Sequence, residues 1–192
     1  TLDRETDLTK VATPWPLPRA VDPVGGLVTT PSELIKYARF HMGNGMATEG
    51  RHLLSGQAIS LMQTQQLTVS GDLEGVGLSW MLDNRNGMKI VSHTGGTTGQ
   101  IALFAMMPEH DFALVVLTNA FTGGQVCSEA QRWVLANYLE CTPYEPQEIE
   151  ASTEDLAAYA GRYQRPFATL DLAFDESDHQ RLILRVTPLQ GF

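Results

Sequence analysis

The spacing of polar and apolar positions changes several times along the chain, and each change marks an element. Residues 1–24 hold no sustained period, because Pro14, Pro16, Pro18 and Pro23 interrupt it around Trp15, so an irregular wrapping segment is expected. Thr30, Pro31 and Glu33 then stand where a capping box needs them, as N-cap, first and third helical residues. The stripe Leu34, Ile35, Ala38 and Met42 carries this helix to the stop signals Gly43 and Gly45. Leu54, Ala58, Ile59 and Met62 suggest a second, weaker helix with Ser55 as its cap.

From Gly75 the period shortens to two. Val76, Leu78, Trp80 and Leu82 alternate with Gly77, Ser79, Met81 and Asp83, which predicts a strand, and Asn86-Gly87 predicts a hairpin turn before Met88–Val91. Ile101–Met107 and Phe112–Thr118 are almost continuously apolar and are joined by Pro108-Glu109-His110-Asp111, so they read as central strands covered on both faces. After Gly123-Gly124, the residues Val126, Ala130, Trp133, Val134 and Tyr138 recur at helical spacing and predict a helix lying back across the sheet. The order helix, strands, helix makes the fold class α+β, an antiparallel sheet flanked by helices. Residues 142–152 form an acidic, proline-bearing linker, which divides the chain into 1–141, the linker and 153–192. The last segment predicts a helical turn and then strands at Ala168–Phe174 and Leu182–Val186, the start of a small β module.

Composition narrows the function. A chain of 192 residues with 43% hydrophobic and 18% charged residues is ordinary for a folded domain. A net charge of −9 without clustered Lys and Arg speaks against nucleic acid. His41, His52, His110 and His179 are scattered, with no metal-ligand spacing, so they read as surface or helix-end residues and no metal is expected. Gly75 and Gly77 do not complete a dinucleotide fingerprint, and residues 95–99 lack the Gly-Lys-Ser/Thr of a phosphate loop, so no cofactor is expected either. Trp15, Trp80 and Trp133 read as core residues. Cys127 and Cys141 lie at opposite ends of a predicted helix, about 20 Å apart at the helical rise, and read as buried free thiols. The N-terminus carries Asp3, Arg4, Glu5 and Asp7 in place of an apolar targeting segment, and the chain begins at Thr1 without Met, so removal of an upstream piece is expected. Localisation stays open.

The candidate chemistry lies in Val91-Ser92-His93-Thr94-Gly95-Gly96-Thr97-Thr98-Gly99-Gln100. Glycine at this density weakens a sheet unless something must approach the backbone. That something is either a substrate, or nothing at all if the stretch is a bulge or flexible turn with a structural histidine.

At several points in the right order the chain resembles the serine β-lactamase and penicillin-binding-protein-like hydrolases, a class C β-lactamase-related group. The matching residues are Val24-Gly25-Gly26-Leu27-Val28-Thr29-Thr30, Gly75-Val76-Gly77-Leu78-Ser79-Trp80, His93-Thr94-Gly95-Gly96-Thr97-Thr98-Gly99, and Pro108 through Leu117-Thr118-Asn119. Leu156, Tyr159, Gly161, Arg162 and Tyr163 further resemble the opening of the lipocalin-like β domain that follows some of these proteins. The resemblance implies an acyl-enzyme mechanism on a small-molecule ester, amide or β-lactam. A Ser-x-x-Lys serine attacks, a Tyr-x-Asn element assists, and a Lys-Thr-Gly or His-x-Gly strand forms the opposite wall. No Ser of this sequence has Lys three residues on and no Tyr has Asn two residues on, so only the wall is present. By resemblance Gly96 supplies an oxyanion N–H, Thr94 offers its hydroxyl to the substrate, Gly95 keeps the groove open, and His93 takes the place of a lysine. With an ordinary pKa of ~6.5, imidazole attracts a substrate carboxylate less, which favours an esterase or peptidase over a true β-lactamase. The rival is a non-catalytic ligand-binding or interaction domain of the same fold. A C-terminal fragment of this kind is expected to be inert by itself and to self-associate through an exposed sheet edge.

Overall fold

In the computed structural model, which describes residues 2–3, 8–9, 11, 17–47, 49–69, 74–97, 99–141, 151–165, 168–175, 177 and 181–188, two compact units separate, Thr1–Tyr144 and Glu145–Phe192. The first begins with a minimal hairpin, β1 (Leu2–Asp3) and β2 (Leu8–Thr9), followed by a 3-10 turn at Arg19–Val21 and the short helix α1 (Asp22–Gly25). The expectation of an irregular start is thus modified by these pieces, while Trp15 lies outside the described residues.

Helix α2 (Pro31–Met42) starts as the sequence predicts: Thr30 Oγ1 accepts a hydrogen bond from the Glu33 N–H at 3.3 Å. The Glu33 carboxylate, however, pairs with Lys36 at 2.7 Å, one turn on. The helix closes as Asn44 and Gly45 take positive φ. Helix α3 (Gly56–Met62) is capped by Ser55, whose Oγ accepts from Ala58 N at 3.1 Å.

Six antiparallel strands follow, β3 (Leu67–Thr68), β4 (Gly75–Val76), β5 (Met81–Arg85), β6 (Met88–Thr97), β7 (Gln100–Met107) and β8 (Phe112–Thr118), in the spatial order of the sequence. Alternation along β6 and β7 assigns the two faces. Val91, Phe104 and Met106 join Ala38 of α2, Trp80 and Leu82 on one side. Ile90, Ala105 and Met107 join Leu135 of helix α4 (Gly123–Tyr138), Met88 and Cys141 on the other. Each fully buried side chain of this set contributes about 1.5–3 kcal/mol, so two helices clamp the sheet. No helix among the described residues is long and apolar enough to cross a membrane.

Three expectations need correction. The strand predicted from Gly75 is two strands, β4 and β5, because Gly77–Trp80 folds into a tight turn with Ser79 at φ 64° and Gly77 N–H donating to Trp80 O. The second apolar run, β8, is an edge: it pairs with β7 alone among the described residues, and its side chains are mostly half-buried, with Leu117 exposed. Helix α4 does cross the sheet, but on a different stripe. Val126, Trp133 and Tyr138 are 54%, 56% and 63% exposed, while Cys127 and Leu135 are buried. Trp133 is therefore no core residue, unlike Trp80. Both cysteines are free and buried, as expected.

The second unit opens with α5 (Thr153–Ala157), whose capping box pairs Ser152 with Asp155, and continues into β9 (Gly161–Gln164), β10 (Ala168–Phe174) and β11 (Leu182–Pro188). These form a three-stranded antiparallel sheet in the order β11-β10-β9. Most of the predicted linker, residues 142–150, lies outside the described residues.

Candidate active site

Strand β6 outruns its neighbour. β5 pairs with it from Arg85↔Met88 only as far as Met81↔Ser92, whereas β7 pairs along Val91↔Met106 through Thr97↔Gln100. From His93 to Thr97, then, one side of β6 is held by β7 and the other carries no described strand. The register along β7 is one-to-one, so there is no bulge in this glycine-rich stretch.

The phase of the hydrogen bonds follows from two turns. Residues flanking a two-residue hairpin loop exchange both backbone bonds, and the direction then alternates along the strand. Asn86-Gly87, both at positive φ, joins Arg85 to Met88, which directs Met88, Ile90 and Ser92 to β5. Independently, Thr97↔Gln100 closes the hairpin to β7, which directs Thr97, Gly95 and His93 to β7. Both turns leave the N–H and C=O groups of Thr94 and Gly96 aimed into the open edge, about 6.6 Å apart at the strand rise. An extended segment laid along this edge would add one strand to the sheet.

Side-chain space matches. A Cβ on Gly95 meets nothing within 4 Å, so the face above it is open, whereas one on Gly96 comes to 3.2 Å from Ile101 Cδ1 on the other face. His93 is exposed; its Nδ1 lies 2.5 Å from Thr94 O. A carbonyl only accepts, so Nδ1 carries the proton and a neutral ring leaves Nε2 as an acceptor. The imidazole is thereby turned toward the open edge. Opposite it on β7 stands Phe104, stacked on Trp80 with ring centroids 5.6 Å apart. The four residues singled out in the sequence, His93, Thr94, Gly95 and Gly96, thus occupy consecutive positions of this edge.

A further wall is absent from the sequence reading. On the α4 side, Thr94, Gly95 and Gly96 border a cavity of about 480 Å³ whose far wall includes Cys127, Ser128 and Gln131. Helix α4 reaches this place because Gly123 starts it hard against β8, where a Cβ would collide with Thr118 Oγ1. The spacing 124, 127, 128, 131 is itself one helical face, a signal obscured by the larger Val126 and Trp133. Ser128 Oγ donates to Gly124 O at 3.0 Å, and the Gln131 amide has no hydrogen-bond partner among the described residues. Burial pushes the Cys127 thiol pKa up, so it stays neutral.

Away from the edge, His41 takes the helix-end and not the surface role of the two the sequence allowed. It sits in the last turn of α2 with its ring buried between Tyr37, Phe40 and Trp80, and burial lowers its pKa. Neither ring nitrogen has a hydrogen-bond partner, nor does Trp80 Nε1, among the described residues. No group of three His, Cys, Asp or Glu residues able to hold a metal occurs among the described residues.

Comparison with known proteins gives a consistent picture. The Beta-lactamase family model matches residues 2–138. Penicillin-binding protein 4 of Amycolatopsis lactamdurans is 28% identical over 163 residues, which is 78% of this chain and 41% of that protein. The octameric penicillin-binding protein homologue from Pyrococcus abyssi superposes with a TM-score of 0.56 at 19% identity, over 98% of this chain and 42% of that one. A structure of SurE with D-Leu superposes with a TM-score of 0.54 at 20% identity, over 86% and 38%. The chain therefore spans about two fifths of the length of these relatives.

Proposed function

The chain belongs to the β-lactamase family, and from that membership we propose that it supplies the oxyanion wall of a serine acyl-transfer site whose Ser-x-x-Lys and Tyr-x-Asn elements stand elsewhere in the polypeptide. The observation that carries this reading is the half-strand His93–Thr97, paired on one side and open on the other. Acyl transfer builds negative charge on the carbonyl oxygen, and preorganised backbone N–H groups stabilise it most where charge develops. Gly96 donates its outward N–H to that oxygen, together with the N–H of the attacking serine. Thr94 aligns the substrate through its backbone and its hydroxyl, which has no hydrogen-bond partner among the described residues. Gly95 leaves room for the acyl chain, and His93 presents Nε2 to a neighbouring hydroxyl without adding a fixed positive charge.

The substrates are small esters, amides or β-lactams. Self-association accompanies this function in the proposal, supported by the open edge of β8 and by the octameric homologue.

The test uses the protein expressed from its complete reading frame, treated with a fluorescent phosphonate and, separately, a fluorescent penicillin. Covalent labelling of one serine is expected with the phosphonate, and its loss in the corresponding Ser→Ala variant. Absence of labelling in a folded protein refutes the acyl-transfer reading and leaves a binding domain of this fold.

A further inference from the structure

We propose that the cavity on the α4 side of the open edge is a specificity pocket for an uncharged, mainly apolar substituent of the substrate, with Gln131 and Ser128 as the polar groups of its helix wall. This rests on the acyl-transfer reading of the adjoining edge. The cavity shares Thr94, Gly95 and Gly96 with that edge, so it lies within reach of a substituent on a carbonyl held by the outward N–H of Gly96. Its volume of about 480 Å³ lies in the range of small-molecule sites. None of its lining residues is charged. Ile101, Ala102 and Leu103 form the sheet side, and Cys127, the one titratable group of the lining among the described residues, is a thiol kept protonated by burial.

The polar side chains of the lining are Thr94 on the sheet wall and Ser128 with Gln131 on the helix wall. The Ser128 hydroxyl already donates within the helix and retains lone pairs as an acceptor, while the Gln131 amide is free to donate and accept. A carboxylate entering this space loses its hydration and finds no cation in the lining among the described residues, which is costly. His93 does not compensate, because alternation along β6 puts its side chain on the α2 face and Thr94 and Gly96 on the α4 face. An alkyl or aryl group ending in at most one neutral hydrogen-bonding function fits.

Two substrate pairs test this on the protein expressed from its complete reading frame. Hexanoate and hydrogen adipate p-nitrophenyl esters differ by one carboxylate on the acyl side, and phenyl acetate and 4-carboxyphenyl acetate by one on the alcohol side. In one pair, the neutral member should be favoured in kcat/KM by roughly 100-fold, the order expected for desolvating an unpaired charge. Gln131→Arg should shrink that ratio by about tenfold or more, mainly through KM of the anionic ester, as a paired charge replaces an unpaired one. Gln131→Met should leave the ratio in place, and melting curves confirm that both variants fold. Ratios near one in both pairs, or ratios untouched by Gln131→Arg, overturn the pocket.

A second arm needs no catalysis. Thermal unfolding of the chain should be delayed by hexanamide at several times its Kd, through protection of the folded state, and remain unchanged with hexanoate. Protection by the amide alone without any acylation keeps the pocket and rejects the acyl-transfer reading. Equal effects of both compounds overturn the pocket whatever the catalytic result.

Discussion

Exchanging each of two adjacent glycines for proline asks whether the hydrogen-bond phase of β6 is as described. Proline removes the backbone N–H and fixes φ near −65°, which edge positions tolerate when the lost donor faces away from the ladder. At Gly96 the lost N–H faces the open side, and the nearest obstacle to the new ring is the mobile end of Ile101 at 3.2 Å. Gly96→Pro should therefore cost no more than about 1 kcal/mol, a shift of ~2–4 °C in Tm for a chain of this size. At Gly95 the N–H bonds β7. Its loss, the unsatisfied carbonyl across the strand and the steric misfit together should cost about 3 kcal/mol, or ~6–12 °C. Acylation should respond in the opposite sense. With Gly96 as the proposed oxyanion donor, Gly96→Pro should lower the acylation rate of the complete protein by ~10²–10³-fold in folded material. Differential scanning calorimetry on the chain and stopped-flow acylation with an activated ester give the two numbers. If Gly96→Pro melts as early as Gly95→Pro, the phase is wrong and Gly96 does not face the substrate.

Three further outcomes follow from the packing. His41 is buried with a lowered pKa, so the unfolded chain takes up its proton first; its stabilising effect is complete above ~6.5 and is lost as pH falls below that value, by at most ~1.4 kcal/mol per pH unit. The Tm difference between the parent and His41→Leu should accordingly move between pH 7.5 and 5, and a difference independent of pH contradicts the burial. Leu135→Ala, at a fully buried position of α4, should cost about 2–5 kcal/mol by urea denaturation, whereas Trp133→Ala on the same helix should cost much less. The chain should associate through β8, and Leu117→Lys, a charge on that edge strand, should lower the apparent mass in light scattering; an unchanged mass places the contact elsewhere.

The sequence was most legible where local chemistry decides structure. Thr30-Pro31 opens α2, Ser55 opens α3 and Asn86-Gly87 turns β5 into β6, because each cap or turn needs only its own few residues. The turn at Gly77–Trp80 was hidden because its positive-φ position holds Ser79, where glycine or asparagine is the usual signal. A continuous apolar run such as Phe112–Thr118 looks the same at an edge as in the middle of a sheet, since the run reports side chains and not which neighbours pair with the backbone. In α4 the largest apolar residues misled: Cys127 and Leu135 are the buried side chains, and Val126, Trp133 and Tyr138 turn outward. The candidate edge His93–Gly96 was legible as a glycine-dense motif. Its second wall was not, for Ser128 and Gln131 become neighbours of Thr94 only through the tertiary placement of α4.

The early end of β5 makes the distal half of β6 a cantilever. Its root, Met88–Ser92, is clamped between two strands and two buried clusters, while at its tip β7 is the one strand paired with it among the described residues and α1 touches only its end, near Thr97. Local opening is therefore far less costly at the tip than at the root, and amide exchange should divide the strand near His93. Ligand that completes the sheet supplies the missing brace. The tip can then tolerate exchanges that alter recognition without loosening the scaffold, since the residues that anchor the beam and those that bear its load are different sets.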